Sequence, residues 1–437
     1  MQSTPLSPNE KSPLKKTPSR NRAVVVGGGA AGLMAAGQAA MAGAEVLVLE
    51  KMQRPGRKLC ITGKGRCNLT NVAPLPDFLS HFGPTGSFLR QAFHRFFTPE
   101  LVDFFHQQGL NTTTERGGRV FPTSGKAPEV TAMFEQWLTR LGVRIRTGCA
   151  VERLCIEDGR MTGVVCGGST IACTVLILAV GGASYPLTGS SGDGYRLAEE
   201  AGHRIVPIRP ALTPLITAGG LAARMANLQL RNILAQVFID GKKKAEAFGE
   251  LTFMEYGLSG PVILTLSGGI VDALRQGREV IVQLDLKPAL DEKKLDARLV
   301  RDFQERRLES IASVLRGLLP REMTPVALEE IDLVPDRPAG TIRADERKRL
   351  RRWLKNFRLR VVSHRPLAEA IVTAGGVDVS EVNPRTMESR LAQGLYFAGE
   401  ILDIQADTGG YNLQAAFSTG WLAGRSAAAQ IAASQEA

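Results

Sequence analysis

The apolar positions of this chain change rhythm several times, and each change marks an element. Ala23–Val26 is an unbroken apolar run that stops at Gly27; residues 30–42 are almost all small or apolar; Val46–Leu49 is a second run ending on Glu50. Apolar runs without polar alternation predict parallel strands covered on both faces, here joined by a small-residue helix. Helical spacing follows near residues 86–107 and 127–141, whereas 54–71 holds too many glycines for a regular element and reads as a loop. Val143–Arg146, Val151–Ile156 and Gly163–Cys166 read as strands. Thr174–Val180 reads as another buried parallel strand, ending in Gly181-Gly182, and Gly189–Gly202 as a loop entering a short helix.

The character shifts near residue 205. Prolines at 207, 210 and 214 precede short alternating runs, Leu228–Ile239 and Glu279–Leu286, which predict a β-rich module. Residues 291–319 and 343–357 are helical in pattern and heavily charged, and the small-residue, glycine-rich style returns after about 362. The pattern predicts an α/β nucleotide-binding domain interrupted by an insertion. Its expected division is a disordered basic tail (1–22), a first domain part (23–205), an inserted substrate domain, β-rich then helical (206–362), and a second domain part (363–437).

A length of 437 residues exceeds one ordinary core and agrees with such a division. No uninterrupted apolar segment reaches membrane-spanning length and no signal-peptide core is evident, so a cytoplasmic protein is expected. The six cysteines (60, 67, 149, 155, 166, 173) form no CxxC pair and no zinc spacing, which predicts reduced thiols and no metal. The net charge is +11, but it is local: residues 1–22 carry five basic groups and one acid, and residues 343–360 nine and two. Those segments hold the whole excess, so nucleic acid is not an expected partner of the chain at large.

The chemistry concentrates in three places. Gly27, Gly29 and Gly32 stand at GxGxxG spacing between strand and helix, and Glu50 ends the next strand eighteen residues on. Gly27 permits the turn, Gly29 the approach of a pyrophosphate and Gly32 the contact of helix with strand. The helix N-terminus, running through Ala31, offers its N–H groups to phosphates, and Glu50 suits the hydroxyls of a ribose. The loop Arg57–Asn71 supplies cations at Arg57, Lys58, Lys64 and Arg66, glycines at 63 and 65, Cys67, and hydrogen-bonding groups at Thr62 and Asn68 for an isoalloxazine edge or a ribityl chain. Near the C-terminus a short strand breaks at Gly399, followed by Glu400 and Asp403. Thr408-Gly-Gly-Tyr-Asn-Leu413 then opens a helix at Asn412 whose positive end can face the pyrimidine side of a flavin.

Together with Leu178–Pro186, Gly249–Pro261 and Val372–Val377, these motifs resemble the HI0933/YhiN-type flavoprotein family, which takes in aminoacetone oxidase-like enzymes and BaiN-type bile-acid enone reductases. The resemblance runs from about residue 22 to 427. It implies a glutathione-reductase-type, Rossmann-like FAD-binding domain interrupted by an inserted β-barrel-like plus helical domain. It further implies that Gly27, Gly29, Ala31, Gly32 and Glu50 hold the ADP half of FAD, with a backbone contact from Val151. Arg57, Lys58, Thr62, Gly63, Gly65, Arg66, Cys67, Asn68, Gly181, Gly182, Gly399, Glu400, Asp403, Gly410, Tyr411, Asn412 and Leu413 would surround the ribityl chain and the ring.

The expected activity is hydride exchange between flavin N5 and a small organic substrate, either reduction of an enone or oxidation of an amino-ketone. A second GxGxxG with a following acid is missing, so NAD(P)H is expected at most as a dissociable co-substrate. Tyr411 and Lys126 are candidates for orienting or protonating the substrate, and Glu250 and Tyr256 can line the same cavity from the insertion. Two other readings stay open: a flavin-containing RNA-binding or RNA-modifying protein using the basic 343–360 helix, and a flavin sensor without turnover. Residue types leave the oligomeric state undetermined.

Overall fold

The computed structural model describes residues 22–436, so the expected tail lies outside the described residues except for Arg22, which opens the first strand. The apolar runs form a five-stranded parallel sheet in the order Leu395–Phe397, Val175–Leu178, Arg22–Val26, Glu45–Leu49, Arg144–Arg146. Its central strand is in register with both neighbours, Val25 facing Ile177 on one side and Val48 on the other. All five strands point the same way, so the breaks after Val26, Leu49, Leu178 and Phe397 open along one edge. That edge is where a doubly wound sheet binds its ligand.

The helix Ala30–Met41 is buried from Ala31 to Ala39 with no solvent stripe, because neighbours press on every side. Small residues allow this. A Cβ on Gly420 or Gly424 would stand 2.3 Å from the carbonyl oxygens of Ala31 and Ala35, so the C-terminal helix Tyr411–Glu436 lies directly against it. Gly37 makes similar room for the Trp137 ring of the helix Ala127–Arg140.

The chain leaves this unit along Ile205–Ala211 and returns along Val372–Val377, two strands paired antiparallel with Arg209 opposite Ala374. Between them a closed six-stranded barrel runs Leu215–Thr217, Gly257–Ser259, Lys242–Met254, Gln229–Ile239, Val280–Asp285, Phe357–His364. Alternation gives it a core of its own: Ala235, Val237, Leu251, Phe253, Val280, Val282, Leu284, Leu359 and Val361 are buried inward. The helices Glu292–Glu305, Ile311–Leu315, Met323–Glu330 and Ala344–Lys355 share that core.

Three readings change. The glycine-rich segment after residue 54 is not all loop: Arg57–Gly65 starts as a helix after Gly56 and breaks at Thr62–Lys64, where Gly63 and Lys64 turn left-handed. The helical pattern 86–107 splits into Gly86–Arg95 and Thr98–Gln107, with Phe96 extended between them. Cys149 and Cys166 are joined in a disulfide rather than both reduced. The strands Val151–Glu157 and Arg160–Cys166 pair with Val151 opposite Cys166, which brings the distant thiols together.

Candidate functional site

The open edge of the sheet is built by steric exclusion. Gly27 has φ of +102°, and a Cβ there would stand 2.4 Å from the carbonyl oxygen of Ala179; one on Gly32 would stand 1.9 Å from that of Gly27. The first glycine is required by the turn and the third by helix–strand contact. Gly29 differs, because nothing lies within 4 Å of its Cβ position. It caps the helix without a side-chain bond, and the first intrahelical bond runs from Leu33 N–H to its carbonyl. The N–H groups ahead of that bond therefore face a clear approach, as a pyrophosphate requires.

Glu50 is buried at the end of its strand. Its Oε2 accepts from Gly28 N–H and its Oε1 from Met52 N–H, each at 2.7 Å. This fixes the carboxylate while each oxygen keeps a second lone pair for a ribose hydroxyl. Val151 begins its strand beside this point, where Cys149 N–H binds the carbonyl of Glu50.

Further along the edge a network joins four segments. Lys58 donates to Glu400 Oε2 and to Ser184 Oγ, both at 2.7 Å, and Ser184 Oγ donates to Glu400 Oε1 at 3.0 Å. Thr373 N–H adds a bond to Glu400 Oε1, and its hydroxyl accepts from Ala183 and Ser184 N–H. Gly182 is forced, since a Cβ would meet Thr373 Oγ1 at 2.4 Å, while Gly181 turns with φ of +76° and Gly399 with +77°. Sequence reasoning missed Ser184 and Thr373. The signal was slight, one hydroxyl following the glycine pair and one within a strand.

At the start of the C-terminal helix, Gly410 has φ of +105°, with no room for a Cβ beside the Thr70 carbonyl. The helix opens at Tyr411, one residue earlier than expected, so the N–H groups of Tyr411, Asn412 and Leu413 precede its first internal bond, Gln414 N–H to Gly410. Next to Gly410 the buried Asn68 Oδ1 has no hydrogen-bond partner among the described residues. An orphaned buried acceptor beside a free helix start fits the polar edge of a flavin. Cradle, acid and helix start together fit FAD.

Other candidates are placed differently. Arg57 is exposed. Thr62 donates to the Leu59 carbonyl, Gly65 turns with φ of +82°, and Arg66 lies over the Phe121 ring at 4.2 Å while pairing with Glu115. Cys67 is fully buried, and burial pushes its thiol up to about 12, which describes a packed, protonated side chain. Asp403 accepts from Gly375 N–H, and burial raises its carboxyl against the opposing pull of Arg209. The Asn412 side chain holds the loop before it, bonding Ala406 N–H and the carbonyls of Ala406 and Asp407.

Tyr411 is buried, its ring edge-on to Phe78 at 4.7 Å and stacked on His81 at 3.9 Å, and burial raises its phenol. Lys126 is exposed ahead of the helix Ala127–Arg140. Glu250 is exposed near Arg231, and Tyr256 lies beneath the Arg365 guanidinium at 4.7 Å. In the basic segment, Arg347 and Arg351 pair with Asp296 and Lys355 with Asp285, so much of its charge is neutralised within the inserted unit. Among the described residues no helix is long and apolar enough to cross a membrane.

The family described as HI0933-like protein Rossmann domain matches residues 21–426. A 3-dehydro-bile acid delta(4,6)-reductase of Clostridium scindens is 35% identical over 419 residues, spanning 93% of this chain and 99% of its own length. A ribosomal RNA dihydrouridine synthase of Escherichia coli is 30% identical over 403 residues, 91% of this chain and 96% of its own. The open conformation of a flavocytochrome c3 fumarate reductase superposes with a TM-score of 0.52 at 16% identity, over 95% of this chain and 79% of that one, a likeness of fold.

Proposed function

This chain belongs to the HI0933-like family of FAD-dependent oxidoreductases, and we propose that it reduces a carbon–carbon double bond conjugated to a carbonyl. One observation carries the choice over amino-ketone oxidation: the bile acid reductase and the dihydrouridine synthases, relatives matched along almost their whole length, bear names that describe this chemistry. A 3-oxo steroid with unsaturation at positions 4 and 6 and a uracil ring share an alkene polarised by a carbonyl.

Bound FAD, once reduced, would supply a hydride at N5. The chain's own groups do the holding. Gly27–Gly32 and Glu50 take the ADP half, Lys58 with Ser184, Thr373 and Glu400 order the segments around the ribityl chain, and the start of the Tyr411 helix stabilises negative charge on the reduced ring. NAD(P)H is the proposed electron donor, binding and leaving in turn.

The test is anaerobic stopped-flow. The purified yellow protein should be bleached by NADH or NADPH and reoxidised by a 3-oxo-4,6-diene steroid. Flavin bleaching by an aminoketone, with peroxide formed once air is admitted and no reoxidation by the diene, would overturn the reading.

The E. coli relative favours a second substrate of the same chemistry, a uridine within RNA. On the helix Ala344–Lys355, exposed Lys348, Arg349 and Arg352 lie at three- and four-residue spacing on one side and form no ion pair among the described residues. If they contact three phosphates of single-stranded RNA, log affinity should fall with log salt at a slope near about −2. Replacing all three with glutamine should abolish that slope and leave steroid turnover unchanged.

A further inference from the structure

An unassigned pair of titratable groups lies just outside the cofactor cradle. His81 ends the short helix Leu75–Ser80, and its Nδ1 stands 2.9 Å from Asp407 Oδ2, although 326 residues separate them. Both side chains are part-exposed, at 27% and 36%. The imidazole is stacked on the Tyr411 ring at 3.9 Å and 22°, which fixes its plane. Asp407 is fixed in turn, because Asn412 Nδ2 bonds the carbonyls of Ala406 and Asp407 and its Oδ1 takes Ala406 N–H.

The location also matters. Asp407 is two residues before Gly409, whose carbonyl is bound by Asn71 Nδ2, and three before Gly410 at the flavin end of the C-terminal helix. Thr408 touches Thr265 of the helix Pro261–Arg275, hydroxyl to hydroxyl at 3.4 Å, so this loop is where the sheet unit meets the inserted unit. A substrate lying against the flavin between the two units would border it. Among the described residues His81 Nε2 has no hydrogen-bond partner; Asp407 from the loop and Tyr411 from the C-terminal helix meet the ring, and Asp77 of the helix before His81 acts with Asp407 on the Tyr411 phenol.

We propose that His81, oriented by Asp407 and stacked on Tyr411, is the proton donor that completes reduction of the alkene. The inference rests on the reading given under Proposed function. Hydride addition to the β-carbon leaves an electron pair delocalised over the α-carbon and the carbonyl. The Nε2–H bond of the imidazolium breaks and a C–H bond forms at the α-carbon. Nδ1–H remains on Asp407, and water reprotonates the neutral ring. Two electrons and one hydrogen come from reduced FAD and one proton from solvent through His81, which balances the addition of two hydrogens. Tyr411, buried in the stack, positions the imidazole instead of donating.

A nitroalkene such as 1-nitrocyclohexene separates the two transfers, because its hydride adduct is a nitronate with its own absorbance. Wild type should release nitroalkane. His81→Asn should accept FAD, be bleached normally and transfer hydride, yet release nitronate; its enone turnover should fall on the order of 10²–10⁴-fold. Asp407→Asn should show a smaller loss of the same kind. Without any turnover, ¹⁵N-histidine spectra of the protein, which has five histidines, should show the His81 nitrogens responding to Asp407→Asn. His81→Asn protein that forms nitroalkane and reduces enone at wild-type rates overturns the inference alone, as do His81 signals indifferent to Asp407→Asn. Wild type that delivers hydride to neither acceptor overturns the proposed function and the donor with it.

Discussion

The open edge of the parallel sheet and the helical layer of the inserted unit are held by opposite means. At the edge, Gly27, Gly32, Gly182 and Gly410 each stand where a Cβ would fall within 2.4 Å of another atom. In the helical layer, Arg337 pairs with Glu346, Arg347 with Asp296 and Lys355 with Asp285, around ordinary buried leucines. Steric exclusion is all or none, whereas ion pairs over an apolar base are graded and replaceable. The edge therefore shows its shape in the sequence. The basic segment states little, because its charges face acids of its own unit.

The sharpest way to break this contrast lies within the edge itself. Gly32→Ala puts a methyl 1.9 Å from the Gly27 carbonyl, a contact only backbone movement can relieve. It should destabilise by about 3 kcal/mol or more and leave little soluble protein. Gly29→Ala meets nothing in the protein, and its φ of −86° suits alanine. Its melting temperature should stay close to wild type while FAD affinity falls about 100-fold, roughly 2.7 kcal/mol. Equal damage from the two substitutions, read by thermal melts beside FAD titration, would remove the claim that Gly29 serves the ligand and Gly32 the fold.

The Lys58–Glu400 pair sits between the extremes, a charge contact at the steric edge. Both side chains are about four-fifths covered, at 23% and 20% exposure, which leaves solvent to weaken the attraction. A double-mutant cycle with Lys58→Met and Glu400→Gln should give a coupling of about 1 kcal/mol without FAD. Coupling that grows when FAD is bound would show the pair ordering the cofactor loops. A value unchanged by FAD would place it with the structural pairs of the insertion.

This division also explains what could be read in advance. Continuous apolar runs and glycine spacing disclosed the sheet strands, the glycine turn between strand and helix and the place of Glu50 at a strand end, because each depends on residues close in sequence. The Lys58–Glu400 contact spans 342 residues and the His81–Asp407 contact 326, so no spacing rule reaches them. Tyr411 looked like a group facing the substrate, but its ring is taken up by Phe78 and His81. The turn at Arg57–Gly65 was hidden because its helix owes its start to left-handed Gly56 and ends before any apolar period can develop. Cys149 and Cys166 meet through a strand register that no CxxC pattern announces.

The mildest test falls on the inserted unit. Glu346 is buried at the start of the helix Ala344–Lys355, where Arg337 donates to both carboxylate oxygens and Arg343 N–H adds a third bond. The Arg337 hydrogen bonds, helped by that N–H, hold its pKa at about 2 against an ordinary 4.5. The folded value is the lower one, so this contribution is complete above about 4.5 and is lost as pH falls toward 2. Glu346→Gln should lower the urea midpoint at pH 7, and its difference from wild type should shrink steadily between pH 4.5 and 2. FAD affinity at neutral pH should not move, since the glycine edge lies in the other unit. A difference that persists undiminished at pH 2 would mean that shape, and not charge, sets this helix, and the contrast between the two regions would narrow to one of degree.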